Sequence, residues 1–165
     1  MQHASFPSFE DAASPLASYQ EMIGLVERLH RLMLDVIKDE FERLGILEVN
    51  AVQALLLFNV GDQELTAGEL RSRGYYQGSN VSYNLKKLVE LGYMVHARCE
   101  VDRRSVRVRL TERGLDIRDM VAALLSRHAG EIAASNRLQG QGLASLVDQL
   151  REVERFWAER IRFIY

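Results

Sequence analysis

The sequence predicts a mostly helical α+β fold: a helix-turn-helix followed by a β-hairpin, with long helices at both ends. Three observations predict it. Apolar residues recur at helical spacing through most of the chain, as in amphipathic helices that share a core. Two short helical patterns are separated by a few residues that include Gly74, which is typical of a helix-turn-helix. Directly after them, residues 105–110 alternate apolar and basic side chains with the period of a half-buried strand.

The composition is that of an ordinary globular domain. The chain has 165 residues, of which 47% are hydrophobic and 27% are charged, a balance that favours a folded core over disorder. Its single cysteine, Cys99, excludes an internal disulfide and is typical of the reducing cytoplasm. The sequence has no apolar run of about 18 residues and no secretory-signal pattern, so we expect a cytoplasmic protein without a membrane partner.

Patterns that would indicate an enzyme are not found in the sequence. The four histidines lack metal-binding spacing, and neither a Gly-x-Ser-x-Gly elbow nor a glycine-rich phosphate loop occurs. A single cysteine also makes a structural zinc site unexpected. We therefore expect no catalytic site, no metal and no cofactor, although a site assembled from distant residues would leave no such pattern.

The charge is divided unevenly along the chain. The net charge is −2 overall, but the segment Arg71–Arg113 holds ten basic and four acidic residues, a net charge of +6. The remainder holds 11 basic and 19 acidic residues, a net charge of −8. A cationic segment in an anionic chain indicates either one face that meets a polyanion or a solvated charged surface, and charge alone does not decide between them.

The N-terminal part is predicted to consist of a loose arm and two helices. Residues 1–14 show little periodicity. Apolar residues fall at helical spacing over Leu16–Leu44, and Gly45 is a plausible stop. A second helix is expected over Glu48–Val60, before Gly61. The first helix is longer than a small core can cover, which indicates that part of it packs on another subunit.

The helix-turn-helix pair is predicted between Thr66 and Gly92. Thr66, with Glu69 three residues later, is a capping-box pattern that begins a short helix. The next helix is expected over Gln77–Leu91, and it turns one apolar face to the core, formed by Val81, Leu85, Leu88 and Val89.

A hairpin with a basic tip and two further helices complete the prediction. Tyr93–Cys99 and Ser105–Leu110 are read as strands joined by a polar turn. A helix then begins at Thr111 and runs to about Asn136. After Gly140 and Gly142 break the chain, a final helix carries apolar residues from Leu143 to Ile164.

This order of elements resembles the winged-helix plan of the MarR family, and three motifs carry the resemblance. They are Leu88-Val89-Glu90-Leu91-Gly92, Asp102-Arg103-Arg104-Ser105 and Leu110-Thr111-Glu112-Arg113-Gly114. They are similar to the end of the family's recognition helix, to its wing and to the start of the next helix. The resemblance covers roughly residues 16–165. It implies a winged helix-turn-helix regulator of transcription that binds double-stranded DNA. Repression is common in the family, so the resemblance also implies a repressor.

The resemblance assigns base contacts to the helix Gln77–Leu91. Its polar positions include Ser79, Asn80, Ser82, Tyr83, Lys86 and Lys87. The N-terminal half of such a helix reaches base edges in the major groove, and an asparagine amide can pair with adenine. We expect Asn80, Ser82 or Tyr83 to contact a base and the two lysines to bind phosphate. Ser79 is either a DNA contact or a helix cap.

The resemblance also assigns a role to the tip of the hairpin, the wing. It implies that Arg103 or Arg104 enters the minor groove, where the negative potential is strongest. Asp102 would then orient the other guanidinium, because an unpaired aspartate facing DNA would repel phosphate. The alternative is a solvated turn.

The terminal helices are expected to form a homodimer. In the family the two chain ends interleave between subunits, and a two-fold dimer matches a palindromic operator. Six residues are the predicted interface anchors: Leu16, Tyr19, Phe156, Trp157, Phe163 and Tyr165. The alternative is that these side chains fill the core of their own subunit.

These expectations divide the chain into four kinds of segment. They are an arm (1–14), two dimerisation segments (15–46 and 137–165), a winged helix-turn-helix module (47–112) and a connecting helix (111–136).

Regulation by a small molecule is a further expectation from the resemblance. Family members commonly bind small aromatic or phenolic molecules between the dimerisation helices and the DNA-binding module. The polar candidates are His30, Asn50 and Gln53, for which a role as satisfied core residues is the favoured interpretation. Cys99, beside Arg98, raises oxidation sensing as a less favoured option. The alternative function for the whole chain is a winged-helix protein-interaction module without DNA binding, against which the basic wing argues.

Overall fold

A computed structural model of the chain describes residues 14–72, 78–98, 106–135, 138 and 142–162. These residues form six helices and three strands. Their order is α1 (Pro15–Arg43), α2 (Ala51–Val60), β1 (Leu65–Thr66), α3 (Ala67–Ser72), α4 (Gly78–Glu90), β2 (Met94–Arg98), β3 (Val106–Leu110), α5 (Glu112–Ala134) and α6 (Gly142–Arg162). The predicted α+β fold, mostly helical, is confirmed.

Local capping sets both ends of α1. The Ser14 side chain accepts a hydrogen bond from the amide of Ala17, and Pro15 occupies the first helical turn, where its missing N–H costs nothing. At the other end Gly45 adopts a φ of +74°, a left-handed conformation that favours glycine. The amide of Ile46 then donates to the carbonyl of Phe41 at 2.8 Å, which closes the last turn.

Helix α2 begins at Ala51, three residues later than the sequence predicted. The reason is Asn50, which caps the helix together with Gln53. The Gln53 amide donates to Asn50 Oδ1 at 2.9 Å, and the Asn50 amide donates to Gln53 Oε1 at 3.1 Å. Because this reciprocal box satisfies the free amides of the first turn, Glu48 and Val49 lie in the loop before the helix.

The sheet contains a strand that the sequence did not reveal. Its order is β1-β3-β2, all antiparallel, with Leu65 opposite Val108 and Met94 opposite Leu110. Strand β1 is two residues long, too short for any periodicity to mark it. The predicted capping box at the start of α3 is formed: the Glu69 amide donates to Thr66 Oγ1 at 3.1 Å, and the Thr66 amide donates to Glu69 Oε2 at 2.6 Å.

The chain divides into two compact units, Met1–Arg118 and Asp119–Tyr165. The first holds most of the apolar core, to which α1, α2, α3, α4 and the sheet all contribute. Its most buried side chains are Ile37, Phe41, Leu56, Leu57, Val60, Leu70, Val81, Leu88 and Met94. In the second unit Val121 and Leu124 are buried, whereas the described apolar side chains of α6 are exposed or half-buried.

The segment Thr111–Gly114 joins the hairpin to α5 through a close backbone approach. The Thr111 hydroxyl donates to the carbonyl of Gly92 at 2.8 Å, and the Thr111 amide donates to the carbonyl of Tyr93 at 3.0 Å. A Cβ on Gly114 would lie 2.2 Å from the Tyr93 carbonyl oxygen and 3.2 Å from Leu110 Cβ. Position 114 therefore has no room for a side chain.

We expect Gly114→Ala to lower the free energy of unfolding by about 1–3 kcal/mol, because the methyl group must push backbone apart. The matched control is Gly130→Ala in the same helix, where an added Cβ meets nothing within 4 Å. That substitution should be neutral or stabilise by about 0.5–1 kcal/mol, because alanine favours the helix. Chemical denaturation measures both, and equal effects of the two substitutions would contradict the packing argument.

Candidate nucleic-acid interface

Helix α4 is amphipathic, and its outward face is polar. Val81, Leu85 and Leu88 are buried against the core, as the sequence predicted. Asn80, Ser82, Tyr83 and Lys86 are exposed, and Lys87 is half-buried. Tyr83 is 68% exposed, an unusual position for a large aromatic side chain that packing within the chain does not explain. The side chain of Ser79 lies outside the described residues.

Asn84 is turned away from this face. It is only 9% exposed, and its side-chain amide donates to the backbone carbonyl of Asn80 at 2.9 Å, one turn earlier. The hydrogen bond partly satisfies a buried polar group inside the helix. Asn80 is therefore the asparagine of α4 that presents its amide to the outside.

The two lysines of α4 share one acidic neighbour. Lys86 Nζ lies 3.9 Å and Lys87 Nζ lies 3.8 Å from the carboxylate of Glu90. All three side chains are at least 45% exposed. Exposed pairs at such distances contribute little to stability, so a phosphate group can replace Glu90 as the lysines' partner at small cost.

The two basic residues of β3 each lie near an acidic side chain of the same chain. Arg107 Nη2 lies 3.9 Å from Glu69 Oε1, and Arg107 Nη1 donates to the carbonyl of Glu64 at 3.4 Å. Arg109 Nε lies 3.9 Å from Glu64 Oε1. These two of the ten basic residues of Arg71–Arg113 thus lie beside an acid, which is Glu69 in α3 or Glu64 in the loop before β1. The wing residues Asp102, Arg103 and Arg104, and Cys99, lie outside the described residues.

The predicted interface anchors that the structure describes are exposed in the single chain. Leu16 is 65%, Tyr19 43%, Phe156 48% and Trp157 36% exposed, so none of these four is buried in the core of its own subunit. Arg160 covers the Phe156 ring at 5.1 Å from its centroid. Phe163 and Tyr165 lie outside the described residues.

The structure separates the three residues predicted to bind a small molecule. A groove of about 380 Å³ lies between the end of α1 and the start of α2, floored by Phe41, Ile46 and Val49. Asn50 lines this groove, but its side chain also caps α2. Gln53 is buried and forms the other half of the cap, and His30 is exposed on α1. Neither is among the residues that line the groove.

Two negative findings apply to the described part of the chain. It contains no cluster of histidine, cysteine, aspartate and glutamate side chains that could hold a metal ion. None of its helices is long and apolar enough to cross a bilayer.

Tyr93 is a titratable group whose pKa is shifted by its surroundings. It is 3% exposed, and its hydroxyl donates a hydrogen bond to Glu48. Burial raises the pKa of Tyr93, and the hydrogen bond and charge of Glu48 raise it further, while the nearby Arg113 lowers it. The net direction is upward, so the hydroxyl remains a proton donor at neutral pH.

Comparison with known proteins gives the same fold and a function. Residues 49–114 match the family model described as winged helix DNA-binding domain. The exopolysaccharide II synthesis transcriptional activator ExpG of Rhizobium meliloti (strain 1021) is 34% identical over 155 residues, which cover 93% of this chain and 78% of ExpG.

Among the solved structures that share the fold, two illustrate the likeness at low identity. A MarR-family transcriptional regulator from Listeria monocytogenes, bound to a 26-mer DNA, is 15% identical with a TM-score of 0.72, covering 86% of this chain and 92% of that one. MarR of Staphylococcus aureus, in complex with salicylate and kanamycin, is 16% identical with a TM-score of 0.69, and the match covers 86% of this chain and 93% of that one.

The fold, the polar outward face of α4 and these matches define a DNA-binding transcriptional regulator of the winged-helix class. Within that class the chain belongs to the MarR family. The resemblance read from the three sequence motifs is thereby confirmed.

Titration of Tyr93 should appear in the alkaline stability of the protein. Because its pKa is raised in the folded state, its contribution to stability is present below the ordinary tyrosine pKa of about 10 and is lost as the pH rises above it. We expect the difference in unfolding free energy between wild type and Tyr93→Phe to become less favourable to wild type above about pH 10. Chemical denaturation at a series of pH values measures it, and a difference independent of pH would contradict the assignment.

Proposed function

We propose that the protein binds a palindromic operator as a homodimer and that α4 reads base edges in the major groove. The observation that carries this proposal is the outward face of α4. Asn80, Ser82 and Tyr83 are exposed on it, while Val81 and Leu85 anchor the helix in the core. A helix held in this way has its N-terminal half available to enter the groove.

The chemistry of this face suits direct readout. The Asn80 amide offers a donor and an acceptor, the pair that matches the N6 and N7 edge of adenine. Tyr83 offers an apolar ring for a thymine methyl group and a hydroxyl for a phosphate. Lys86 and Lys87 follow on the same helix and are proposed to bind the phosphate backbone. There the DNA phosphates replace Glu90 as the ionic partners of the two lysines.

The wing is proposed to contact the adjacent minor groove through Arg103 or Arg104, with Asp102 orienting the other guanidinium. The internal pairing of Arg107 and Arg109 supports this division of labour. Because Arg107 and Arg109 of β3 already have acidic neighbours, we assign the minor-groove contact to Arg103 or Arg104, since a narrow groove attracts arginine most strongly.

The dimer is proposed to form through α1 and α6. Exposed apolar side chains on α6 recur at helical spacing, and they form a stripe of Leu143, Leu146, Val147, Leu150 and Ile161. Leu25, Leu29 and Leu32 on α1 are also exposed. Such an amount of exposed apolar surface on two long helices is typical of a subunit interface. A two-fold dimer presents two copies of α4, as a palindromic operator requires.

The support for a direction of regulation comes from a relative rather than from the fold. The sequence analysis expected repression, whereas the relative that is 34% identical is named an activator. That relative covers nearly the whole chain, so we favour activation. Transcription in vitro with a promoter that carries the operator tests it: added protein should raise the transcript level, and a lowered level would instead establish repression.

Control by a small aromatic molecule is the last part of the proposal. The Staphylococcus aureus MarR structure contains salicylate, and the groove between α1 and α2 is an apolar space of suitable size in this chain. An effector acts only if it binds one dimer state better than the other. Operator affinity measured with and without salicylate would test it, and an unchanged affinity at saturation would exclude this compound.

Asn80→Ala tests base readout. The operator is first obtained by selection from a random duplex library, and affinity is then measured by fluorescence anisotropy on operator and scrambled duplexes. The substitution should weaken operator binding by about 5- to 150-fold, the usual value of one bidentate base contact, and leave scrambled DNA unaffected. Lys86→Ala should weaken binding to both duplexes alike, and it should reduce the salt dependence of the affinity by the amount expected for about one phosphate contact.

Lys38→Ala is the matched control for the lysine variant. Lys38 forms a similar exposed pair with Glu42 at 3.7 Å, but it lies on α1, so its loss should leave both affinities near wild type. Absence of binding to any duplex at low salt would contradict the proposal and favour the protein-interaction module. An Asn80→Ala variant with unchanged operator preference would contradict the assignment of base readout to that residue.

Leu150→Asp tests the interface. It places a charge within the apolar stripe of α6, so sedimentation velocity should show monomers, and operator affinity should fall at least about tenfold because only one half-site is held at a time. Ser145→Asp introduces the same charge on the polar side of the helix and should remain dimeric. A dimeric Leu150→Asp protein would show that α6 does not form the interface.

A further inference from the structure

Three side chains from separate segments meet at the C-terminal end of α4. Glu48 belongs to the loop between α1 and α2, Tyr93 stands between α4 and β2, and Arg113 lies in the first turn of α5. Glu48 Oε1 accepts hydrogen bonds from the Tyr93 hydroxyl and from Arg113 Nη2, the latter at 2.8 Å. Arg113 Nη2 also donates to the Tyr93 hydroxyl oxygen at 3.2 Å. These residues are named the Glu48–Tyr93–Arg113 cluster.

Arg113 connects the cluster to the backbone at the first residue after α4. Its Nη1 donates to the carbonyl of Leu91 at 2.9 Å, and its guanidinium carbon lies 4.5 Å from the centroid of the Tyr93 ring. Carbonyl groups at the C-terminus of a helix lack partners within it and carry partial negative charge, so a cation is favourable there. One guanidinium therefore holds a carbonyl, a ring and a carboxylate, which the single ammonium of lysine cannot do with the same geometry.

The cluster fixes geometry more than it adds stability. The side chains of Glu48 and Arg113 are 53% and 56% exposed, and exposed ion pairs contribute little to folding. Tyr93, by contrast, is buried, so its hydroxyl requires a partner, and Glu48 supplies it. The result is a link from the loop that precedes α2 to the turn that ends α4.

The cluster is remote from the residues proposed to contact bases. Asn80 lies in the first turn of α4, and at 1.5 Å per residue it is about 15 Å from the helix end at Glu90. A change of tilt at that end displaces the N-terminal turn, where small errors matter, because a bidentate contact tolerates only about 0.5 Å or 10–20°.

We propose that Glu48, Tyr93 and Arg113 are positioning residues for base readout: they fix the tilt of α4 relative to the α1–α2 loop and so set the preference for operator over other DNA. The inference rests on the proposed function of α4. Phosphate contacts are long-ranged and tolerant of small shifts, so loosening the cluster weakens operator binding and leaves binding to other sequences intact.

Three variants of the full chain, Glu48→Gln, Tyr93→Phe and Arg113→Lys, test the proposal. Glu48→Gln and Tyr93→Phe nearly keep the shape of the side chain and remove a charge or a hydroxyl, and Arg113→Lys keeps the charge but loses the planar set of donors. Fluorescence anisotropy on operator and scrambled duplexes, over a salt series, should show operator affinity lowered by about 3- to 30-fold. Affinity for the scrambled duplex should stay within about twofold, with an unchanged salt dependence.

The control is Glu131→Gln, which removes the same charge from an exposed position late in α5 and should behave as wild type. Amide hydrogen exchange, measured without DNA, reports on the cluster itself. The amides of Gly92 and Tyr93 donate to the carbonyls of Val89 and Leu88 at 3.0 and 2.9 Å, and they should exchange faster in the three variants.

Variants that keep the wild-type preference for operator would overturn the inference alone. Equal loss of affinity for both duplexes would also overturn it. That result would mean either that Arg113 binds phosphate or that the variants are partly unfolded. A wild-type protein that prefers no duplex would overturn the proposed function and this inference with it, whatever the exchange data show.

Discussion

The structure depends on the close approach of α5 to the backbone of Tyr93. Gly114 permits it, because any side chain at that position would collide with the Tyr93 carbonyl. Thr111 secures it through its hydroxyl and its amide. The end of α4, the residues Gly92 and Tyr93 before β2, and the first turn of α5 are thereby held in one place. Since α4 bears the proposed base contacts and β2 leads into the wing, this joint orients both parts of the DNA-binding surface.

The distribution of charge also depends on pairs of residues that the fold brings together. The segment Arg71–Arg113 is strongly basic as a sequence, yet Arg107, Arg109 and Arg113 each lie against a carboxylate from another segment. The Arg113–Glu48 pair is a hydrogen-bonded contact at 2.8 Å, whereas the pairs of Arg107 and Arg109 are 3.9 Å long. The lysines of α4 lie 3.9 and 3.8 Å from the exposed Glu90 on the same helix, a weak pairing that a polyanion can displace. A net charge of −2 is therefore compatible with a DNA-binding surface, because most of the acidic residues lie elsewhere.

The sequence predicted the elements that rest on local signals. The Thr66–Glu69 capping box, the apolar face of α4 and the alternation along β3 depend on residues close together in the chain, and the structure contains each of them. The start of α2 was wrong by three residues, because the Asn50–Gln53 box was not recognised. That pattern, an asparagine with a glutamine three residues later, could have located it.

Other features could not be predicted, because they join distant segments. Strand β1 exists only through its pairing with β3, and two residues carry no periodicity. Glu48 and Arg113 are 65 positions apart, so nothing local marks them as partners. The charge of the segment that contains Arg107 left open whether it meets a polyanion, and only the fold supplies its neighbours Glu69 and Glu64. The outward direction of Asn80, Ser82 and Tyr83 did follow from the helical pattern, since the buried face of α4 fixes the opposite one.

Hydroxyl-radical footprinting of the selected operator tests the central claim most directly. A dimer that reads two half-sites through two copies of α4 predicts two protected patches, related by two-fold symmetry and centred about 10–10.5 base pairs apart or a multiple of that spacing. A single unsymmetrical patch, or no protection at concentrations that saturate binding, would contradict the account.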